Sequence, residues 1–324
     1  DDWDSWMLAQ GHCYAGARQL SCRANIYDIE HEGKTYFLLC ECDGAREAAV
    51  LASWIPSKRN SFLHRVLTRF LGVGNGVLEV FEGPVAKTNR HGEFSQLLAA
   101  VDKLAKDLRV SSIRISVIPF GYIKSKENFF ADGMEAHGYI RHDWLTSVVN
   151  LEQGGGDAFQ SLRRSERKAI NKCVKAGVYL RKCETKSSFI HDFCEEYYSE
   201  SWSEERLDRM ERQWDLTDHQ FYSYYVAVSK NEEILGVLGT YNFNGYITER
   251  LSKRTSVGKK SNLPVQDFLH WAIMECCRGA GDQWFDLAGF SPTPQSEGEK
   301  GIRFFKEKWG GELREAPFFL KDCR

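Results

Sequence analysis

The stretch Trp284-Phe285-Asp286-Leu287-Ala288-Gly289-Phe290, followed by Gly301-Ile302-Arg303-Phe304-Phe305-Lys306-Glu307-Lys308-Trp309-Gly310-Gly311-Glu312, decides how the chain is read. Its apolar and aromatic start, Trp284 to Ala288, predicts a strand. Its second part predicts a short helix over Phe304 to Trp309. Ile302, Phe305 and Trp309 stand at i, i+3 and i+7, which predicts one apolar stripe. Gly310-Gly311 permits the left-handed cap that ends a helix. Lys306 adjoins Phe305 but falls off the stripe, so its ammonium is expected to point elsewhere.

Upstream of this stretch the pattern is regular. Tyr225 to Val228 predicts a strand, Lys230 to Glu233 a turn, and Ile234 to Tyr241 the returning strand. Tyr246 to Ser252 predicts a third strand, and Val265 to Cys277 a helix. The same series already occurs in the first half. Tyr36 to Cys42, the Asp43-Gly44 turn and Ala48 to Ala52 predict a hairpin. Val77 to Phe81 predicts a strand that runs into Gly83-Pro84. Leu97, Leu98, Val101, Leu104 and Leu108 give helical spacing over Phe94 to Leu108. A strand over Ile113 to Ile118, a short helix over Phe129 to Ala136, Gly138 and a strand over Trp144 to Leu151 complete it.

The central helices and their following strands are offset by about 171 positions, matching Leu97 to Phe268 and Ile113 to Trp284. Residue identity is low, so the repeat is one of architecture. Gly154-Gly155-Gly156 is the best linker candidate. The expected domains are 1–152, with 314–324 available to complete it, and 157–313. The order fits tandem GNAT-type α/β domains, mixed sheets flanked by helices, in which central strands splay to admit an acyl donor.

Composition narrows the options. A chain of 324 residues is comfortable for two domains. Its net charge of −2 leaves nucleic-acid contact to local patches. No apolar run approaches the roughly 18–20 residues of a membrane span. The acidic start Asp1-Asp2-Trp3-Asp4 is unlike a signal peptide, and a cytoplasmic protein is expected. The 10 cysteines form no C-x-x-C pair; lying in apolar elements, they are expected to be reduced. No metal site is expected. The chain has no P-loop, G-x-S-x-G or H-E-x-x-H, and Gly72-Val73-Gly74-Asn75-Gly76 precedes a strand rather than a helix. His270 sits in a helical apolar pattern and is expected in or beside the core.

The opening stretch resembles the C-terminal signature of the FemABX peptidoglycan-branching enzymes: a strand F-D-x-x-G, a loop, then G-[ILV]-x-x-F-K-x-x-[FW]-G-G. Leu162-Arg163-Arg164-Ser165 through Ile170, Lys172 and Lys175-Ala176-Gly177-Val178 resembles that family's basic helix ending in K-x-G-V. Phe81-Glu82-Gly83-Pro84-Val85 is a third likeness. Together the likenesses cover most of the chain. The resemblance implies an aminoacyltransferase that joins an aminoacyl-tRNA-borne amino acid to an acceptor amine on a peptide or nucleotide-linked precursor. It places Phe305 and Lys306 at the transfer centre, with Lys306 stabilising charge on the ester carbonyl or the departing ribose oxygen. Asp286, in the motif strand, is expected to orient a neighbour or satisfy backbone N–H groups. Trp202 to Trp214 offers only a short charged helix in place of the family's long coiled-coil arm, as in compact, monomer-like members.

Other candidates follow from spacing. Arg164, Lys168, Lys172 and Lys175 form a basic stripe suited either to a solvated face or to phosphate contact. Strand alternation puts Tyr246, Thr248, Arg250 and Ser252 on one face, so Tyr246 and Arg250 are candidates for the acceptor channel. The pyrophosphate loop [QR]-x-x-G-x-[GA] of acetyl-CoA-binding GNAT domains is absent from both Arg254 to Ser261 and Lys87 to Glu93. Arg254 with Gly258-Lys259-Lys260 could grip a phosphate in another arrangement. The absence favours aminoacyl-tRNA as co-substrate, with no permanently bound cofactor, over acyl-CoA. A CoA-dependent N-acyltransferase and a non-catalytic binding module are the alternatives.

Overall fold

The computed structural model describes residues 33–42, 45–56, 76–80, 83, 85–86, 91–116, 129–152, 158–217 and 219–323. The acidic N-terminus, the Asp43-Gly44 turn, the Gly72 to Asn75 run, Phe81, Glu82, Pro84, Val117-Ile118 and the Gly154-Gly155-Gly156 linker lie outside the described residues. The chain forms two compact units, one of residues 1–145 with 315–324 and one of 146–314.

In the first unit the strands are β1 (Lys34–Cys42), β2 (Ala45–Ile55), β3 (Val77–Val80), β4 (Val85–Ala86), β5 (Ser112–Ser116), β6 (Ile140–His142) and the C-terminal β14 (Phe318–Asp322). They order as β1-β2-β3-β5-β14-β6, with β4 on β2. Only β3 and β5 run parallel among the described pairs, because helix α1 (His91–Leu108) crosses over between them. Its stripe of Phe94, Leu97, Leu98, Val101 and Ala105 is buried on Ile113 and Ile115, which alternate with exposed Arg114. Helix α2 (Phe129–Ala136) precedes Gly138, whose positive φ of 81° turns the chain into β6.

The second unit has the order β13-β7-β12-β11-β10-β9-β8. Its strands are β7 (Leu145–Asn150), β8 (Tyr179–Lys182), β9 (Tyr222–Val228), β10 (Ile234–Phe243), β11 (Tyr246–Arg254), β12 (Trp284–Phe290) and β13 (Glu312–Glu315). The helices that concern the site are α3 (Arg164–Lys175), α4 (Glu204–Leu216), α5 (Val265–Ala280) and α6 (Glu297–Glu307). Again the helix α5 links two parallel neighbours, β11 and β12. Val265, Phe268, Leu269, Ile273 and Cys277 of α5 pack on Ile247, Phe285 and Leu287. Burying each such side chain contributes roughly 1.5–3 kcal/mol.

The two sheets repeat one plan: antiparallel, antiparallel, parallel, then a strand from elsewhere in the sequence. In the first that strand is β14, between β5 and β6; in the second it is β7, between β12 and β13. The sequence places Trp144 to Leu151 in the first half. The structure puts β7 in the second sheet instead, because periodicity identifies a strand but not its neighbours.

Candidate active site

The β11–β12 ladder is short. It pairs Tyr246 with Trp284, Ile247 with Phe285 and Thr248 with Asp286. Beyond Thr248 and Asp286 the strands run on to Arg254 and Phe290 without further pairing between them among the described residues. This is the splay that the likeness to GNAT-type domains implies.

Asp286 marks where pairing stops. It is 2 % exposed and accepts three hydrogen bonds. Tyr246 donates its hydroxyl to Oδ2 at 2.6 Å, and the Ala288 N–H donates to Oδ1 at 2.8 Å. The Thr146 hydroxyl on β7 also donates to Oδ1. Burial pushes the Asp286 carboxyl above the usual range, against the pull of these donors and of the Lys306 charge. Ala288 has a φ of 61°, a left-handed conformation that costs a non-glycine residue about 1–2 kcal/mol. The Asp286 hydrogen bond to its N–H holds that turn in the middle of the motif strand.

Helix α6 brings up Phe305 and Lys306. A capping box starts it: Ser296 accepts from the Glu299 N–H, and Glu299 accepts from the Ser296 N–H. It ends at Glu307, two residues short of the expected end, so Trp309 lies past the helix. The expected apolar stripe is therefore incomplete. Trp309 is buried and Phe305 half-buried, but Ile302 is 49 % exposed. Gly310 takes the left-handed turn with φ 71°, and a Cβ on Gly311 would lie 2.6 Å from Ser147 Oγ. Both glycines of the motif thus have a backbone reason.

Lys306 is half-buried and donates to the Gly289 carbonyl at 3.1 Å. Burial lowers the affinity of its amine for a proton, while Glu249 and Asp286 oppose that effect. Register puts Ile247 and Phe285 on the α5 face, so Glu249 comes from that face and Asp286 from the other. Lys308 differs from Lys306. It is ion-paired with Asp267 at 2.5 Å and sits 4.1 Å from the centre of the Phe305 ring. Lys306, by contrast, has a backbone carbonyl as its hydrogen-bond partner.

Of the remaining sequence candidates, Tyr246 meets this cluster through Asp286, while the others lie at exposed positions. Tyr246 is 1 % exposed and its hydroxyl is engaged by Asp286, which corrects its expected place on a channel wall. The expected shared face of Tyr246, Thr248, Arg250 and Ser252 is also corrected. The β10–β11 register shifts, pairing Gly239 with Leu251 and Thr240 with Glu249. Arg250 is the extra residue of this irregularity and is exposed. Past it, Ser252 donates to Gln266 on α5 at 2.8 Å, on the same side as Glu249. Arg254 is exposed at the end of β11. In the following turn, Ser256–Lys260, a Cβ on Gly258 would lie 1.8 Å from the Leu235 carbonyl oxygen; close packing therefore accounts for this glycine. Arg164, Lys168, Lys172 and Lys175 are exposed on α3, and Lys172 donates to the Asn262 carbonyl at 2.8 Å.

Sequence reasoning missed Thr146, Glu249 and the environment of His270. Thr146 lies 140 residues from Asp286 and carries no local signal of the contact.

A comparison with protein-family models gives no match, and neither does one with curated proteins. Solved structures do match. FemX aligns over 98 % of this chain and 94 % of its own, with a TM-score of 0.69 at 11 % identity. L-PGS from Bacillus licheniformis aligns over 100 % of this chain and 92 % of its own, with a TM-score of 0.60 at 13 % identity. A tandem GNAT protein from the clavulanic acid biosynthesis pathway covers 90 % of this chain and 84 % of its own, at TM-score 0.59 and 11 % identity. At such identities the likeness is one of fold. The chain has two mixed α/β GNAT-like units in tandem. More particularly, its fold is FemX-like.

Among the described residues no helix is long and apolar enough to cross a membrane.

Proposed function

We propose that this chain is an acyltransferase whose second unit passes an aminoacyl group from aminoacyl-tRNA to an acceptor amine. The observation that carries this reading is Lys306, a half-buried ammonium at the splay of β11 and β12 with Glu249 and Asp286 as its neighbouring charges. Aminolysis of an ester needs no enzyme nucleophile. A neutral amine attacks the carbonyl carbon, the new C–N bond forms, and the C–O bond to the ribose breaks. The proton lost by the amine ends on the departing ribose oxygen. Negative charge builds first on the carbonyl oxygen and then on that leaving oxygen. An ammonium held there in advance stabilises it by about 3–4 kcal/mol, as a single oxyanion donor does. Phe305 fixes the helix that carries the amine, and Asp286 fixes the strand turn beside it.

The acceptor is a primary amine on a peptidoglycan precursor or small peptide, as the motif resemblance implies. The exposed basic residues of α3 are the surface offered to tRNA phosphates. Acyl-CoA is the competing donor, and the lack of the usual pyrophosphate loop before α5 weighs against it.

Incubating the protein with charged tRNA and with acetyl-CoA, and following which donor is consumed, separates the two. Lys306→Met should reduce transfer by about 10²-fold or more while the protein stays folded. Transfer that survives this change intact would remove Lys306 from the mechanism.

A further inference from the structure

The second unit contains a cavity to which the transfer chemistry assigns no part. Its volume is 340 Å³. Small-ligand pockets run from roughly 300 to 1,000 Å³, so one small molecule would fill it. Its lining residues run from Val149 to Gly310, all within the unit 146–314. Asp286, Gly289 and Lys306 are not among them. Trp271 and Met274 of α5, with Leu162, give it an apolar wall. Phe159 meets the Trp271 ring edge-on at 5.3 Å, and the Arg278 guanidinium stands 5.8 Å from the same ring. The wall is therefore in place before any ligand arrives.

Three cations and, among the described residues, no acid line this cavity. Two of the cations are already matched. Arg278 is ion-paired with Glu275 and donates from Nε to the Leu151 carbonyl at 2.8 Å. Lys308 is ion-paired with Asp267 at 2.5 Å. Arg163 is exposed, and its guanidinium has no partner among the described residues. It is also the residue from which α3 starts, and no side chain caps that start. The opening turn thus adds uncapped N–H groups and the positive end of a helix dipole beside the Arg163 charge. Glu166, the acid of that turn, is buried, does not line the cavity and accepts from the Ser165 hydroxyl. A second polar group comes from another element. Trp309 lines the cavity and is 5 % exposed, yet its indole N–H has no acceptor among the described residues. An indole N–H only donates, and a buried donor is nearly always answered. A water molecule would answer the indole but would leave the apolar wall and Arg163 without a use.

We propose that this cavity binds a small monocarboxylate with an apolar body and a second hydrogen-bond acceptor. The carboxylate pairs with Arg163 at the start of α3, the body lies on Trp271 and Met274, and the second acceptor takes the Trp309 N–H. One unmatched cation calls for one negative charge, which favours a carboxylate over a phosphate dianion. A guanidinium fork also suits the two oxygens of a carboxylate. The site goes beyond the transfer reaction and does not depend on the role of Lys306.

The test titrates the full chain, carrying isotope-labelled tryptophan, with N-acetylphenylalanine. This probe has one carboxylate, an apolar ring and an amide carbonyl. Its primary amide, N-acetylphenylalaninamide, keeps the ring and the carbonyl but has no charge. The acid should bind with a Kd of about 1 mM or tighter, as a ligand of its size can. It should also shift the indole N–H resonance of Trp309, assigned through Trp309→Phe. The primary amide should bind at least about tenfold more weakly, having lost the charge-assisted bonds. Arg163→Met should weaken the acid by the same factor and leave the primary amide unchanged. Ser161→Trp, at an exposed lining position, should obstruct the cavity and weaken both. No binding of the acid by about 10 mM overturns the proposal. So does a primary amide that binds as well as the acid, folded Arg163→Met that binds the acid as the parent does, or a Trp309 resonance unmoved at saturation. Phenyl phosphate binding more tightly than the acid would overturn the choice of a single charge. None of these readings uses transfer, so the loss or survival of activity in Lys306→Met leaves them standing.

Discussion

Tyr246 donates its phenolic proton to Asp286 Oδ2 at 2.6 Å, tying β11 to β12 inside the last paired segment before they part. Both residues are buried, so no water stands ready to replace a lost donor. Tyr246→Phe should destabilise the protein by about 1.5–3 kcal/mol, the range for a hydrogen bond to a charged group. Urea unfolding of the variant beside the parent measures this. A loss of less than about 0.5 kcal/mol would mean that the hydroxyl does not hold the strands together.

The same carboxyl gives a pH dependence with a definite sign. Burial raises the folded-state affinity of Asp286 for its proton above the ordinary carboxylate value. A group raised in the folded state contributes most below its unfolded value of about 3.9, and that contribution is lost as pH climbs through the raised folded value. Asn at this position does not titrate. It can still accept from Thr146 and Ala288 while donating to the Tyr246 oxygen. The stability of Asp286→Asn relative to the parent should therefore improve as pH rises from about 4 toward neutrality. Urea midpoints over a pH series test this, and the opposite trend would place the Asp286 proton affinity below normal.

Much of this arrangement was legible in the sequence. Helical spacing located α1 and α5, and apolar runs located the central strands. Phe285 to Gly289 marked the motif strand, and Gly301 to Gly311 the helix carrying Lys306. What escaped was whatever depends on pairing at a distance. The placement of β7 in the second sheet has no local signature, because a strand's sequence states its faces but not its neighbours. The irregularity at Arg250 defeated alternation, moving Ser252 to the α5 side. His270 was expected in the core and is buried there, yet its partner Glu249 lies 21 residues away on another element.

The cysteines allow a check on packing. Burial pushes the Cys173 thiol up to about 11 and the Cys183 thiol up to about 12. At pH 8 that leaves on the order of 10⁻³ and 10⁻⁴ of each as the reactive thiolate, in addition to the steric barrier. Cys276 and Cys323 are exposed, and burial also raises the Cys323 thiol. Iodoacetamide at pH 8 should therefore modify Cys276 first and Cys323 more slowly, with Cys173 and Cys183 reacting only after unfolding. Peptide mapping of these four sites reads the order. Early labelling of Cys173 would place helix α3 off the sheet.

The basic face of α3 separates RNA contact from simple solvation. Arg164 and Lys168 are exposed and suited to charge reversal. Lys172 is a poorer choice, since its amine also holds the Asn262 carbonyl and its loss would disturb the turn before α5. Each phosphate contact by a cation releases condensed counterions and adds about 0.7–0.9 to the slope of log affinity against log salt. Arg164→Glu with Lys168→Glu should therefore weaken tRNA binding and flatten that slope by about 1.4–1.8. Filter binding or fluorescence anisotropy at several salt concentrations measures both quantities. The slope matters more than the affinity, because a misfolded helix would weaken binding at every salt concentration without this flattening. Binding that keeps both its strength and its slope would leave the stripe as a solvated surface and move the tRNA contact elsewhere.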